Sequence, residues 1–492
     1  AVATATVTIS PPDAGSGLGT ANLAAARFLE QATFGPTSAA IAKVKQMGID
    51  AWLTEQFAMP ETAITDPGGM NSGQLKAQYL SRLSTADDQL RQRVAYALAQ
   101  IIVISMNKNI YPNEIVPYLQ ILSRNAFGNY RTLLGEISTS AQMGKYLDIA
   151  NSNKPTAGGG ANENYPREMM QLFSIGLVQL NPDGSAQLDV NKKPIPTYDQ
   201  AAVQQVALAF TGWSYAGPNA NNWENFSGPM QPHDINHDMH AKSFLGCNLP
   251  AEQGTVADLN ATLDCVFAHP NVAPFISTRL IRSLVTSNPS PGYVGRVAAV
   301  FNNNGAGVKG DLKATVRAIL TDAEARDDTA PPSAGHLRDP TLHLTTFLHA
   351  LNGNITAANQ LPWQMSQMSQ EPLTPPSVFG FYSPQYRIPH TAIVGPEFQI
   401  YSPTEAVLRG NLFWQALTNP GGDFTLDLSP FTSAATTTEL IDRVDQALLY
   451  GRMPQAMRQT LANVLAAQDS ATSRAQLALY LTALSGLYAV QY

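Results

Sequence analysis

Charge is scarce in this chain. Only 14% of its 492 residues are Asp, Glu, Lys or Arg, against 44% apolar. That balance excludes a disordered polypeptide, which needs low hydrophobicity and high charge. A basic excess is missing too. The formal net charge of −7 lacks the footprint of a nucleic-acid or anionic-membrane binder, so no nucleic-acid partner is expected. No apolar run reaches the ~18–20 residues of a membrane span. The longest, Val94 to Ile104, is interrupted by Gln100. The chain has no nucleotide-binding Walker loop, no Cys-x-x-Cys and no haem-attachment motif. The glycines Gly15, Gly17 and Gly19 sit in no βαβ unit and carry no phosphate-loop argument.

Cysteine is nearly absent, with Cys247 and Cys265 alone. The short segment between them closes easily, and a bridge would stabilise by ~3 kcal/mol in the chain-entropy model. A disulfide and an oxidising compartment are expected; two separate buried thiols are the other reading. The opening Ala1-Val2-Ala3 has no Met and is rich in small residues, as after removal of a secretory signal. Both features point to a periplasmic or extracellular address.

What is present is helical periodicity. Residues 1–20 read as an extended arm and linker, and 21–492 as one large α-helical domain, with a sub-boundary near 214–255 and an irregular insert at 352–402. Amphipathic segments at about 49–57, 73–83, 87–104, 113–127 and 130–147 are joined by short Gly, Pro and Asn connections. Arg91 and Arg93 fall outside the apolar stripe of the 87–104 segment and are expected to be solvated or ion-paired. Leu177 to Leu180, the turn Asn181-Pro182-Asp183-Gly184 and Ala186 to Val190 predict a hairpin laid on the helices. The fold class is mainly α, a multi-helix array with a small β-hairpin and long loops.

Polar chemistry is most concentrated in Asn162-Glu163-Asn164-Tyr165-Pro166-Arg167-Glu168. Pro is harmless at the first helical position, so a helix is predicted to start at Pro166. That places Glu163 in the preceding loop, and Arg167 and Glu168 in the first turn. Two readings stay open: a structural one, with Glu163 paired to Arg167, and a functional site. A second cluster, His233, His237 and His240 with Asp238, suits zinc or another divalent ion by ligand type, although no helical spacing fixes its geometry. Solvated or hydrogen-bonded loop histidines are the other reading.

Several strings resemble one bacterial family, catalogued as domain of unknown function 1800. They are Ala26-Arg27-Phe28-Leu29, Ala32-Thr33-Phe34-Gly35, Tyr146-Leu147-Asp148, the 162–168 stretch and Phe210-Thr211-Gly212-Trp213. His237-Asp238 with Lys242, Phe244, Leu245 and Gly246 follows, then His269-Pro270 leading into the Arg279 helix, then Pro375 to Phe379. The resemblance runs over about 24–400. It implies an exported protein, often found beside a sulfatase-like or phosphatase-like partner, and transfers no activity. In the family pattern an Ala stands where this chain has Pro166, and an acid where it has Gln171, which weakens a metal reading that needs three carboxylates. His233 and His240 lie outside the pattern.

The leading expectation is a hydrolase or lyase, in one version dependent on a divalent metal ion, acting on a polysaccharide or other polymer. Glu163, Glu168, Arg167, His237 and Asp238 would do the chemistry, and Lys242, Trp213, Asn162 and Asn164 would bind substrate. His237, Asp238, His233 and His240 would hold the metal. The alternative is a non-catalytic extracellular binding or assembly protein in which these residues form a structural network.

Overall fold

The computed structural model describes residues 20–157, 159–327, 333–356, 359–419 and 422–492. The arm expected at 1–20 lies outside them except for its last residue. Helices dominate, and the strands form only two-stranded antiparallel pairs. The chain is therefore mainly α.

Most helices start where a short polar side chain can hold a free backbone N–H. Thr37, Asn71, Asn129, Ser140, Asp199, Ser290, Asp311 and Asp339 each cap a following helix, satisfying donors that have no intrahelical acceptor. Three expected helices are shorter than their apolar pattern. The 87–104 segment is helical only over Gln89–Ala99. The run Ile101-Ile102-Val103-Ile104 beyond it is β-branched, which disfavours helix, and leaves it as buried irregular chain. The 113–127 segment divides into Pro112–Glu114 and Val116–Arg124. The 130–147 segment divides at Ser140, which ends Tyr130–Thr139 and caps Ala141–Tyr146.

Apolar side chains gather in two cores. The larger draws on residues from Ala25 to Leu342. The smaller joins Leu80 to residues between Leu344 and Tyr488. The Pro340–Ala350 helix belongs to both, with Leu342 in the first and Leu344, Phe347 and Leu348 in the second. A helix buried nearly all round must put its polar groups to use. His349 does so, its ring nitrogens lying 2.8 Å from the Gly35 and Ser84 carbonyl oxygens. The strand pair His336–Leu337 with Val490–Gln491 ties the C-terminal segment back to this junction.

The expected hairpin at 177–190 gains a third segment. Gln187 N donates to Gln179 O, Gln179 N to Ile195 O, and Ile195 N to Gln187 O. Each of the three segments bonds to the other two, which satisfies more backbone than an isolated hairpin can. Among the described residues no helix is long and apolar enough to cross a membrane. Arg93 departs from expectation: it is fully buried, with Nη2 donating to Ser283 O at 2.6 Å. Arg91 is ion-paired as expected, 3.5 Å from Asp88.

Candidate functional site

The 162–168 stretch does form a helix start, two residues earlier than the proline rule predicts. The helix is Asn164–Gln171, and its first intrahelical bond runs from Arg167 N to Glu163 O. Pro166 is thus the third helical residue. The first backbone donor needed is that of Arg167, so the missing N–H at Pro166 is as harmless there as at the first position. Glu163 is consequently no free loop residue. It occupies the N-cap, and its carboxylate accepts from Arg167 Nη2 at 2.7 Å and Gln200 Nε2 at 2.7 Å. Tyr165 is buried, its hydroxyl 2.5 Å from Ser138 Oγ.

Glu168 differs from Glu163. It is half-buried, its Oε2 has no hydrogen-bond partner among the described residues, and burial raises its pKa above the ordinary Glu value despite the adjacent Arg167. Burial and the Glu168 charge together push Tyr146 and Tyr198 up to about 12. One turn towards the helix start, Asn164 Nδ2 donates to Asp148 Oδ2 at 2.9 Å, and Lys108 Nζ meets Asp148 Oδ1 at 2.6 Å. Positions 164 and 168 are neighbours on a helix surface, so Lys108, Asp148, Asn164 and Glu168 form a row.

The Lys108–Asp148 end of this row lines a polar cleft of about 700 Å³ whose walls also include Lys145, Asn162, Tyr215 and Glu224. Its floor is the 147–152 turn, where Asp148 and Asn151 adopt positive φ values of 59° and 61°. Asp and Asn tolerate that region better than other non-glycine residues. Ser152 Oγ accepts from Asn162 N at 3.0 Å, tying the start of the 162–168 stretch to the floor. Lys145 bridges Glu114 at 3.0 Å and Glu224 at 2.9 Å. Burial pulls its pKa down, and the hydrogen bonds to Glu224 and Glu114 outweigh this and raise it.

The histidine cluster is built differently. The His237 ring is fully buried, with Nδ1 2.8 Å from Thr211 O and Nε2 3.1 Å from Asp258 Oδ2. Both ring nitrogens face protein oxygens, which leaves none for a metal. Lys242 is equally buried. Its ammonium contacts Asp258 Oδ2 at 2.7 Å, Asp238 O at 2.6 Å and His240 O at 2.9 Å. Asp238 faces His240 Nδ1 at 3.1 Å, and the His240 side chain is 89% exposed. Among the described residues no three His, Cys, Asp or Glu side chains are grouped to hold a metal ion. His233, His237, Asp238 and His240 therefore do not assemble as a coordination site.

The Phe210-Thr211-Gly212-Trp213 string explains this network. Thr211 supplies the carbonyl for His237, and its Oγ1 accepts from Asp238 N at 2.9 Å. Gly212 has φ 87°, and a Cβ there would meet His233 O at 2.9 Å and Thr255 Oγ1 at 2.8 Å. Trp213 is buried and pairs with Pro232 across a short strand, so it offers substrate no face. Cys247 and Cys265 form the disulfide, joining the Cys247–Leu249 strand to the Thr255–Ala268 helix.

Of the residues singled out by sequence, Asn162 lines the cleft, Asn164 reaches its wall through Asp148, and Glu168 lies one turn further along the helix. Glu163 and Arg167 pair beside it, and His237, Asp238, Lys242 and Trp213 are built into the interior. Sequence reasoning missed Lys108 and Asp258. Each meets its partner through folding, Lys108 across 40 residues and Asp258 across 21, and no local pattern announces either.

The model of a family described as a protein of unknown function (DUF1800) matches residues 27–490. The chain belongs to the DUF1800 family. No curated protein and no solved structure matches it. The match extends the family assignment through the smaller core to the C-terminal strand, well past residue 400.

Proposed function

We propose that this DUF1800 member is an extracytoplasmic hydrolase or lyase that binds a polysaccharide in the polar cleft and uses Glu168 as a general acid. The observation that carries this reading is the Glu168 carboxyl. It is half-buried, raised in pKa, free of a hydrogen-bond partner at Oε2, and one helical turn from the Asn164–Asp148 contact. A carboxyl with a raised pKa on the same row as a carboxylate held by Lys108 and Asn164 is the division of labour that acid/base chemistry needs. Amides, ammonium groups and Tyr215 along the cleft match a polyhydroxylated ligand. The disulfide is compatible with an oxidising compartment.

A non-catalytic binding or assembly role is the second reading, favoured by His237, Asp238 and Lys242 being satisfied internally. In that case the same cleft docks a polymer or a sulfatase-like partner. Reducing-end release, or formation of unsaturated product, from a panel of polysaccharides separates the two. The enzyme reading expects E168Q to lose about 10²–10⁴-fold in turnover while binding is kept, and E163Q to stay within a few-fold of the parent. Binding without turnover in the parent protein overturns it in favour of the second reading.

A further inference from the structure

A second cleft, of about 620 Å³, lies between the three-segment ribbon and the Val272–Leu284 helix. Its size is within the range of roughly 300–1,000 Å³ usual for small-molecule sites. Its charge is one-sided. Arg279, Arg282 and Arg387 all line it, and among the described residues no Asp or Glu does. Arg279 and Arg282 are three apart on one helix and so share a face. Among the described residues none of the three arginines forms an ion pair within 4.0 Å. Arg279 Nη2 donates to Gln100 O at 2.9 Å, and Arg282 Nη1 makes only long contacts, 3.5 Å to Pro384 O and 3.4 Å to Gln385 Oε1. Arg282 Nε is buried with no hydrogen-bond partner among the described residues.

The carboxylate whose charge acts on Arg282 is Glu397, which lines a small chamber shared with Arg279 and Arg282. It already faces His336 Nδ1 at 3.5 Å. Burial, and then the neighbouring Arg282, pull the Arg279 guanidinium down to about 10. Two like charges held this close in a partly dry wall call for a counter-anion.

The rest of the wall is apolar. Leu177 and Phe379, two of the large hydrophobic side chains left exposed on the molecule, both face this cleft, with Phe275 and Leu172 beside them. The wall is fixed in place where Gly176 packs on Phe275, since a Cβ at Gly176 would sit 2.8 Å from that ring.

We propose that this cleft binds an organic oxyanion with an apolar or aromatic body. Guanidinium pairs recognise planar carboxylates and phosphates through two parallel N–H bonds, and the exposed Leu177 and Phe379 cover the apolar part. The site is separate from the polar cleft and does not depend on the catalytic reading of Glu168.

Titration calorimetry on the full chain with naphthoate, naphthyl phosphate and the neutral naphthylmethanol tests it. One anion per chain is expected, bound at least about tenfold more tightly than the alcohol and weakened by salt. The naphthoate and phosphate arms distinguish a carboxylate from a phosphate site. R282Q and R387Q should each weaken the anions about tenfold and leave the alcohol unchanged. R279Q removes a bond to Gln100 and can unfold the helix contact, so the other two variants, checked for unchanged melting, decide. Equal affinity for alcohol and anions, or full anion affinity in R282Q and R387Q, overturns the site.

Discussion

Glu163 and Glu168 carry the same side chain five residues apart and meet opposite fates. Glu163 has two charge-assisted or polar partners at 2.7 Å, whereas Glu168 Oε2 has none. The consequence is a pH dependence. Burial raises the Glu168 pKa in the folded state, so its contribution to stability is full below the unfolded value of about 4.3. It is lost as pH rises through the folded value, because the unfolded chain ionises more readily. The melting temperature of the parent should therefore fall more steeply with pH above about 4.3 than that of E168Q; parallel curves would remove Glu168 from the argument. Lys242 gives the opposite test. Its ammonium is enclosed by Asp258, Asp238 O and His240 O. K242M should cost about 3–5 kcal/mol, since removing one partner leaves buried Asp258 uncompensated. Urea denaturation measures it. A change below 1 kcal/mol would return Lys242 to the list of ligand-binding residues.

Among the elements, the turn after the Gln200–Ala209 helix has the most structure resting on it. Gly212 N donates to Ser152 O at 2.8 Å, which ties the turn to the cleft floor, and Gly212 O accepts from His233 N at 2.8 Å. G212A faces a positive φ and two contacts under 3 Å, so a loss of about 1–3 kcal/mol is expected, measurable by thermal melting. Because the same turn holds Asn151 and Ser152, the proposed polysaccharide binding should weaken along with stability. Capping is local chemistry: Thr37, Asp199 and Ser290 each hold a free backbone N–H of the helix that follows. The start at Asn164 was misjudged by two residues. A proline is equally harmless anywhere in a turn whose N–H groups have no acceptor, so Pro166 marks the first turn without marking its first residue.

At the scale of the molecule, two apolar cores share the Pro340–Ala350 helix, and the disulfide secures one edge of the larger. Replacing both Cys247 and Cys265 by Ala should lower unfolding free energy by roughly 3 kcal/mol, and the chain should remain helical by circular dichroism, because the two residues sit at the edge of the larger core and the smaller core is built from other residues. A collapse of the helical signal would give the bridge a wider role. The sequence by itself determined the helical class, the small hairpin and the family, because periodicity, turn chemistry and ordered motifs are all local properties of the chain. Only the tertiary structure decided what the polar residues do. It buried His237, Asp238 and Lys242 in one network and paired Glu163. It also left Glu168 without a partner, and gathered Arg279, Arg282 and Arg387 on a wall with no carboxylate. Those outcomes depend on contacts between segments distant in the chain, where burial and the presence or absence of a counter-charge set the role of each group.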